Sequence, residues 1–376
     1  MKGWKTYKVS DLTIMRNGKK RPTCLGQFPV YGGNGIMGYT DVYNAENTII
    51  IGRVGAYCGN VYYSSDKCWV SDNAITVSAN DLIDIKYLFY LMSSLDLHHQ
   101  HIGGAQPLMT QDIIGGFNVS IPNLEIQKRI ADILSSLDDK IELNRRINDN
   151  LEQQAQALFK SWFVDFEPFR GGEFVDSELG MIPKDWRVVS LGEVTKQITE
   201  KVGNREDVTV LSPINSGELV LSEEYFTKQV FSKDLSKYLI VNPLSFAYNP
   251  ARINIGSIGL NTFDFVGCVS PVYVVFECEP NYQYFFDFLK KAARFKEEVA
   301  LRAIGGVRQS LGYNDLSLIK TIYPTPDIVV KFNHLYLKMK EVMIKNTTQN
   351  EKFISLRDSL LPKLMSGELK INDLNS

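Results

Sequence analysis

The chain has 376 residues, of which 44% are hydrophobic and 22% charged, and its formal net charge is −2. This length is typical of two or three domains that each bury a core, and the composition excludes a disordered chain. A protein that binds nucleic acid alone is usually basic, so a nucleic-acid function would depend on local basic patches or on partner subunits.

Neither a membrane span nor a secreted form is expected. No apolar stretch approaches ~18 residues, and the opening MKGWKTYKVSDLT has no apolar core, so the sequence predicts neither a spanning helix nor a signal peptide. Five cysteines without a C-x-x-C pair are typical of free thiols in the cytoplasm, and do not indicate a disulfide framework or a zinc site.

The chain repeats itself. The segment 47–61 (NTIIIGRVGAYCGNV) resembles 243–259 (PLSFAYNPARINIGSIG), and Gly103 and Gly305 begin matching segments 202 positions apart. Short runs rich in Val, Ile, Tyr and Phe, separated by Gly, Asn and Asp, predict a β-rich domain in each half.

One helix is predicted inside each β-rich domain, at 87–97 in the first and 284–302 in the second. Between the halves, 163–186 contains Pro168, Gly171, Gly172 and Pro183, a composition that favours a linker with local turns.

A long helix is predicted after each β-rich domain, over 125–163 and 327–365. In each, ten positions step alternately by four and three residues, the spacing of a coiled-coil seam. The first seam is Ile130, Leu134, Leu137, Ile141, Asn144, Asn148, Leu151, Ala155, Leu158 and Trp162. The second is Phe332, Tyr336, Met339, Met343, Asn346, Asn350, Phe353, Arg357, Leu360 and Leu364. At ~1.5 Å per residue each helix is ~58 Å long. Pro362 and Gly367 are predicted to end the second helix.

Both seams carry asparagine at the same two positions, Asn144 and Asn148 in the first helix and Asn346 and Asn350 in the second. If the helices pack antiparallel about an internal two-fold, their midpoints meet. A buried polar layer there is destabilising unless asparagine faces asparagine, which fixes the register. We therefore hypothesise that these residues set the helix register. The alternative is that they lie on a solvated flank of a loose helix pair.

The predicted boundaries follow from these features. They are 1–124 for the first β-rich domain, 125–163 for the first long helix, 164–185 for the linker, 186–326 for the second β-rich domain, 327–366 for the second long helix and 367–376 for the tail.

Two segments partly match the motifs of known binding or catalytic sites, but neither has the full set of features that the motif requires. Gly33, Gly35 and Gly38 match G-x-G-x-x-G, but the strand-like YTDVY follows and no acidic residue stands at the required distance, so a turn between strands is predicted. The segment 249–252 (NPAR) shares its first two residues with the Asn-Pro-Pro-aromatic tetrad of amino-methyltransferases. It lacks the second proline and the aromatic ring.

No metal site or catalytic centre is predicted elsewhere. His98 and His101 could share a helix face, but no cysteine or carboxylate cluster accompanies them, so a polar helix end is the better interpretation. No arrangement of Ser, His and Asp can be assembled with any specificity.

The ordered combination of features resembles the specificity subunit of Type I restriction–modification systems. It includes a loop at 28–39 (FPVYGGNGIMGY), a turn at 51–55 (IGRVG) and a signature within 122–141. The signature residues are Pro122, Glu125, Gln127, Ile130, Leu134, Leu137, Asp138 and Ile141. ELGMIPKDW (178–186) resembles the opening of the family's second recognition domain, and LMSGEL (364–369) its closing segment. Around 324–336 the Glu-x-Gln element is absent.

The resemblance implies an α+β fold: two β-rich target recognition domains in a pseudo-two-fold repeat, separated by two long antiparallel coiled-coil helices. Each domain would read one half of a bipartite site in double-stranded DNA. The helices would set the gap and dock modification (methyltransferase) subunits, two per chain. Restriction/translocase subunits, where present, would add cleavage.

The resemblance also implies a non-catalytic, cytoplasmic chain with no membrane association. It would bind no cofactor itself, because S-adenosylmethionine, ATP and Mg are expected on the partner subunits. Two alternatives stay open: a DNA-recognition module of a non-methylating defence system, and a protein-binding coiled-coil scaffold.

Candidate DNA-binding residues lie on basic or glycine-flanked loops, where base edges can be approached closely. In the first domain they are Lys19, Lys20, Arg21, Tyr31, Asn34, Arg53, Tyr57 and Gln106. In the second they are Lys201, Arg205, Asn249, Arg252, Arg308 and Gln309. Arg53 aligns with Arg252 in the repeat, and Gln106 with Arg308. The alternatives are a solvated charged loop for the basic runs and turn hydrogen bonding for the others.

Overall fold

The computed structural model describes residues 3–103, 106–303 and 310–370. It divides into two compact units, the first formed by Met1–Ile147 with Ile344–Ser376 and the second by Asn148–Met343. The division passes through two long helices, so each unit holds one β-rich domain and a part of both helices. The predicted α+β class is confirmed.

The first unit contains nine described strands around short helices. The strands are β1 (Lys5–Lys8), β2 (Thr13–Asn17), β3 (Phe28–Gly32), β4 (Gly35–Thr40), β5 (Thr48–Gly52), β6 (Val61–Ser64), β7 (Trp69–Val70), β8 (Ala74–Ala79) and β9 (Asn118–Ile121). The helices are α1 (Ile85–Ser94), α2 (Gln111–Gly115) and the first part of α3 (Leu124–Phe163). The sheet orders are β2-β8-β5-β6 and β4-β3-β7, and β1 pairs with β9.

The second unit begins in the last part of α3. Its described strands are β10 (Phe174–Val175), β11 (Ile182–Pro183), β12 (Arg187–Ser190), β13 (Thr195–Ile198), β14 (Thr209–Pro213), β15 (Leu219–Leu221), β16 (Leu239–Val241), β17 (Phe246–Tyr248), β18 (Ile258–Leu260), β19 (Gly267–Val269), β20 (Val274–Cys278) and β21 (Lys320–Tyr323). Its helices are α4 (Leu191–Val194), α5 (Ser222–Tyr225), α6 (Gln283–Leu289), α7 (Ala293–Arg302), α8 (Tyr313–Ser317) and the first part of α9 (Pro326–Ser366).

The two domains share one topology. The order β13-β20-β17-β18 repeats β2-β8-β5-β6, and β15-β14-β19 repeats β4-β3-β7, with β16 added at the edge. In each smaller sheet one pair is parallel: Val30 lies opposite Trp69, and Thr209 opposite Gly267. The pair β12–β21 repeats β1–β9. The sequence repeat is therefore a repeat of strand order.

Every residue of the two predicted seams is buried or half-buried. In the first unit, Asp138 and Asn144 of α3 contact Arg357 and Asn350 of α9, so residue numbers rise along one helix as they fall along the other. The helix pair is therefore antiparallel in this unit, as predicted.

Both helices enter the cores of the β-rich domains. In the first unit, Ile130 and Leu134 of α3 join Leu364 and Met365 of α9 in the core formed by β5, β8 and α1. In the second unit the core takes Phe159, Phe163, Phe332 and Tyr336 from the helices. Phe159 and Phe163 lie outside the predicted seam, and their rings pack both on Phe285 of the domain and on Phe332 of α9.

A polar junction joins α1 to both long helices in the first unit. The Tyr90 hydroxyl donates to Asp138 Oδ2 at 2.5 Å, and Arg357 Nη1 donates to Asp138 Oδ1 at 2.7 Å. Burial raises the pKa of the Tyr90 phenol, so it stays a donor to the Asp138 carboxylate.

The second embedded helix, predicted as one piece, is broken between α6 and α7. The Lys290 side chain turns inward, where its ammonium contacts Asp287 Oδ1 at 2.6 Å and donates to the carbonyl oxygens of Gly217 and Ile258. Burial lowers the pKa of this ammonium, and the Asp287 carboxylate opposes that effect. The local sequence favours a continuous helix, but these tertiary bonds end it.

Pro362 does not end the second long helix, contrary to the prediction. It lies inside α9, which continues to Ser366, and Gly367 follows with φ +69°. A proline in a helix interior removes one hydrogen bond. Here the next turn continues because Leu364 and Met365 are buried in the core of the first domain.

The segment after α3 is ordered by aromatic contacts in the second unit. The rings of Phe166 and Phe169 lie 5.5 and 5.1 Å from that of Trp186. The hairpin β10–β11 follows, with Phe174 opposite Pro183. The turns predicted for this segment are therefore packed against the start of the second domain.

Replacing Phe332 by alanine is expected to lower the free energy of unfolding by about 3–5 kcal/mol. Its ring is fully buried and lies 5.2 to 5.9 Å from those of Phe159, Phe163 and Phe288. Urea unfolding followed by tryptophan fluorescence measures the loss. The control Leu335→Ala removes a side chain that is 38% exposed on the same helix, and its effect should stay near 0.5 kcal/mol, roughly the range of surface substitutions. Equal losses would contradict the assignment of Phe332 to the core.

Candidate nucleic-acid interface

The basic run of the first domain lies beside its smaller sheet. The Lys19 amide donates to Val70 O at 3.0 Å, and Trp69 Nε1 donates to Lys19 O at 3.3 Å. The side chains of Lys19, Lys20 and Arg21 are exposed. Backbone bonds therefore hold this loop in place while its cations face solvent.

The hairpin of β3 and β4 stands next to this run. Gly33 and Asn34 form its turn, as expected for a glycine-rich connection between strands. Arg21 Nη2 donates to Met37 O at 3.1 Å, which fixes the guanidinium against β4. Asn34 is exposed at the tip.

Three further candidates of the first domain lie on adjoining turns. A Cβ placed on Gly33 would stand 3.6 Å from Tyr57 Cβ and 3.7 Å from Gly52 Cα, so the hairpin tip touches the turn that carries Arg53 and Tyr57. The Gly55 amide donates to Pro107 O at 3.1 Å, which brings the segment of Gln106 to the same turn.

The structure therefore brings together Asn34, Arg53, Tyr57 and Gln106. Tyr57 is 46% exposed and Gln106 is exposed, whereas Arg53 is half-buried. Both backbone groups of Arg53 are used, because its amide donates to Asn73 O and its carbonyl accepts from Met109 N. Amide, guanidinium and phenol groups on adjoining turns can hydrogen-bond base edges.

Tyr31 is, with Arg53, one of the two half-buried candidates of this domain. Its ring is half-buried, 6.5 Å from that of Tyr62, and burial raises the pKa of its phenol. It packs against the small core of Ile50, Cys68, Val70 and Ala74. Packing in this core is the alternative to DNA contact for Tyr31.

In the second domain the candidates lie on two different segments. Lys201 and Arg205 are exposed on a loop whose Val202 amide donates to Tyr238 O at 2.9 Å. Arg205 Nε also lies 3.8 Å from Asp207 Oδ1 at the surface. Arg308 and Gln309 lie outside the described residues.

Asn249 and Arg252 occupy the turn after β17. The Asn249 side-chain oxygen accepts from the Ala251 amide at 3.0 Å, so this amide group builds the turn. Arg252 is exposed and directly precedes a 3₁₀ helix at Ile253–Ile255, and Arg53 lies two residues before one at Gly55–Tyr57. The two arginines therefore lie on corresponding turns, after β17 and after β5.

The two histidines considered as metal ligands lie beyond α1, which ends at Ser94: His98 is in the 3₁₀ helix Leu97–His99, and His101 follows that helix. His98 Nδ1 lies 2.9 Å from Cys58 O, and the rings of His98 and His101 are 6.4 Å apart. Within the described residues, no group of three His, Cys, Asp or Glu side chains could hold a metal ion. None of the described helices has the length and apolarity needed to cross a bilayer.

Sequence reasoning missed three exposed apolar side chains beside this cluster. They belong to β4: Ile36, Met37 and Tyr39, which are 51%, 37% and 53% exposed. The run GIMGY gave no signal of this exposure, because an apolar run in a strand ordinarily indicates a core.

The helix-register asparagines are buried. Asn144 and Asn350, both in the first unit, are 8% and 9% exposed. Asn144 Nδ2 donates to Asn350 Oδ1 at 2.9 Å, and Asn350 Nδ2 donates to Ile141 O at 3.2 Å. In the second unit, Asn148 Nδ2 donates to Met343 O at 3.1 Å. Asn346 is buried as well. Asparagine thus faces asparagine across the helix pair of the first unit.

The sequence and the fold are similar to those of known proteins. The family model of the Type I restriction modification DNA specificity domain matches residues 1–153. The chain is 27% identical over 304 residues to the Type I restriction enzyme MjaIX specificity subunit of Methanocaldococcus jannaschii, covering 77% of this chain and 70% of that one. It is 28% identical over 388 residues to the HindI specificity subunit of Haemophilus influenzae, covering 81% and 82%.

A solved structure shares the fold. The S subunit of a Type I restriction–modification system from M. genitalium superposes with a TM-score of 0.62 at 17% identity, covering 96% of each chain.

Replacing Asn144 alone by leucine is expected to lower the free energy of unfolding by about 1–3 kcal/mol, because the buried Asn350 oxygen loses its donor. The double variant Asn144→Leu/Asn350→Leu should recover most of that loss, since both polar groups are removed together. Thermal and urea unfolding of the four proteins in the cycle measures the coupling. Asn150→Leu, an exposed site on the same helix, is the control. A neutral Asn144→Leu variant would instead favour the solvated-flank alternative.

Proposed function

We propose that the chain is the DNA-recognition subunit of a Type I restriction–modification complex, with each β-rich domain reading one half of a bipartite site. Its similarity to specificity subunits of such complexes supports the proposal. The observation that carries the proposal is the repeated topology, in which Arg53 and Arg252 hold equivalent turns while the surrounding loops differ. Two equivalent readers with different loops would recognise two different half-sites.

The long helices would set the gap between the half-sites. Half-sites on the same face of a duplex are about 34–36 Å apart, one helical turn. A helix of 40 residues, such as α3, is ~60 Å long at ~1.5 Å per residue, which is ample for that span. Buried hydrogen bonds between the helices would then fix the gap.

Modification subunits, two per chain, would dock on the helices. In support, Leu143 and Ile147 of α3 are 46% and 37% exposed although they are apolar. Ile133, which is also apolar and outside the seam, instead packs against the core of the first domain.

The partner subunits would bind S-adenosylmethionine, and restriction subunits would use ATP and Mg. We propose that this chain supplies no catalytic group, and that its partners share the phosphate contacts, consistent with the net charge of −2.

The decisive experiment maps methylated adenines at single-base resolution in cells that express this chain with its modification subunit. A two-part motif with a fixed gap, lost when this chain is deleted, is the expected result. If the partners are active and no such motif is found, the non-methylating module and the protein scaffold become the better hypotheses. Crosslinking of duplex DNA to the β-rich domains then distinguishes those two.

Arg53→Ala is expected to weaken binding to one half-site by about 1–3 kcal/mol, the range of a specific base contact. The turn itself should persist, because both backbone groups of Arg53 remain bonded. Competition binding to duplexes altered in one half or the other measures the effect, and Arg252→Ala is the matched control that should affect the other half. An equal loss on every duplex, with a smaller salt slope, would make Arg53 a phosphate contact.

A further inference from the structure

The hairpin of β3 and β4 presents apolar side chains to solvent. Ile36 and Tyr39 are each more than half exposed, and Met37 is 37% exposed. In the described sheet, β4 stands at the edge and pairs with β3. Exposed apolar groups clustered on one strand mark an interaction surface more often than isolated ones do.

A bulge explains why two adjacent residues face outward. Val30 pairs with Gly38 and Tyr31 with Ile36, so Met37 is an extra residue in β4. Bulges re-aim side chains at functional edges. The Met37 side chain lies over Gly32, where a Cβ would stand 2.5 Å from its sulfur, so a larger residue at position 32 would displace the end of this side chain.

The hairpin is held in place. Its tip packs on Tyr57 and Gly52, and a Cβ on Gly35 would lie 3.3 Å from the Tyr62 ring. Arg21 Nη2 donates a hydrogen bond to the carbonyl oxygen of Met37 on β4. Because this carbonyl is already capped by a cation, the edge is a poor template for an added strand from another protein.

The second domain shows that the fold does not require this exposure. Its equivalent hairpin, β14–β15, buries Leu219 to 5% exposure, and Val220 and Leu221 are half-buried. The short helix α5 follows directly after β15. The apolar surface therefore belongs to the first domain alone among the two described hairpins.

The surroundings of the hairpin favour DNA as the occupant. Lys19, Lys20 and Arg21 are exposed beside it and Asn34 is exposed at its tip, so cations flank an apolar ridge. The major groove admits a two-stranded β-ribbon, and the apolar group that it offers is the 5-methyl group of thymine. The cations would then face the phosphates of the groove walls.

We propose that the β3–β4 hairpin enters the major groove and that Ile36 and Met37 contact the C5 edge of a pyrimidine, so that the first domain reads a methyl group. The inference rests on the proposed function and adds to it a recognition element of defined chemistry. Asn34, at the tip, is placed to bond an adjacent base edge.

The test changes single methyl groups in the DNA. The full chain, assembled with its modification subunit, is titrated with duplexes that carry the site found by methylation mapping. At each pyrimidine in turn, thymine is replaced by deoxyuridine or cytosine by 5-methylcytosine. One position, confined to one half-site, should change the dissociation constant about fourfold, the equivalent of about 0.8 kcal/mol for one buried methyl group.

Three variants assign that effect. Ile36→Ser and the double variant Ile36→Ser/Met37→Ser should bind both versions of the sensitive duplex equally, while their salt slopes stay unchanged because no charge is lost. The matched control Ile14→Ser removes an isoleucine with the same exposure, 55% against 51%, from β2, and should keep the wild-type response. Thermal melting verifies that each variant is folded.

The outcomes separate this inference from the proposed function. A wild-type complex that binds the site but senses no C5 methyl group would overturn the inference and leave the proposed function intact. So would a double variant that retains the methyl response, or one that binds DNA normally and fails to assemble with the modification subunit. A wild-type complex that binds no bipartite site would overturn the proposed function itself.

Discussion

The core of each β-rich domain is completed by side chains from both long helices. In the first unit Ile130 lies with Leu364, more than two hundred residues away along the chain, and in the second unit Phe163 lies with Phe332. Protein interiors are close-packed, so a helix that slid along its axis would open cavities in the domain core. The contacts that stabilise a domain are thus the ones that fix its position on the helices.

Polar contacts between the two long helices fix their register more strictly than apolar packing does. An apolar seam tolerates a shift by one heptad, whereas Asn144 meeting Asn350 and Asp138 meeting Arg357 do so in one register. The halves also differ here. At the seam position where the second helix has Arg357, the first has Ala155, buried among the aromatic rings of the second unit. At this seam position an ion pair links the two helices in the first unit, whereas the second unit has aromatic packing.

The sequence predicted the fold best in the segments whose residues follow a regular repeat. The heptads and the strand-rich repeat predicted both long helices and the doubled domain, because packing acts on those periods directly. The break at Lys290 could not be seen, since it depends on carbonyl groups far away along the chain. Among the candidate site residues, a sequence gives the residue type but not the direction of the side chain. Tyr31 is half-buried and Asn249 bonds its own turn, whereas Ile36 is exposed through a bulge with no sequence signature.

In each domain, the core that the long helices enter is separate from the small apolar clusters that support the loops. The helices enter the large core of each domain, but the β3–β4 hairpin packs on a separate small cluster around Ile50 and Val70. The second domain repeats this division, with small clusters around Leu211 and Ile240 apart from the aromatic core. Substitutions at non-contacting sites have nearly additive effects. Loops built on the small clusters can therefore change their shape and chemistry while the helix-bearing cores stay as they are. This explains how two domains of one topology can present an exposed apolar hairpin in one case and a buried one in the other.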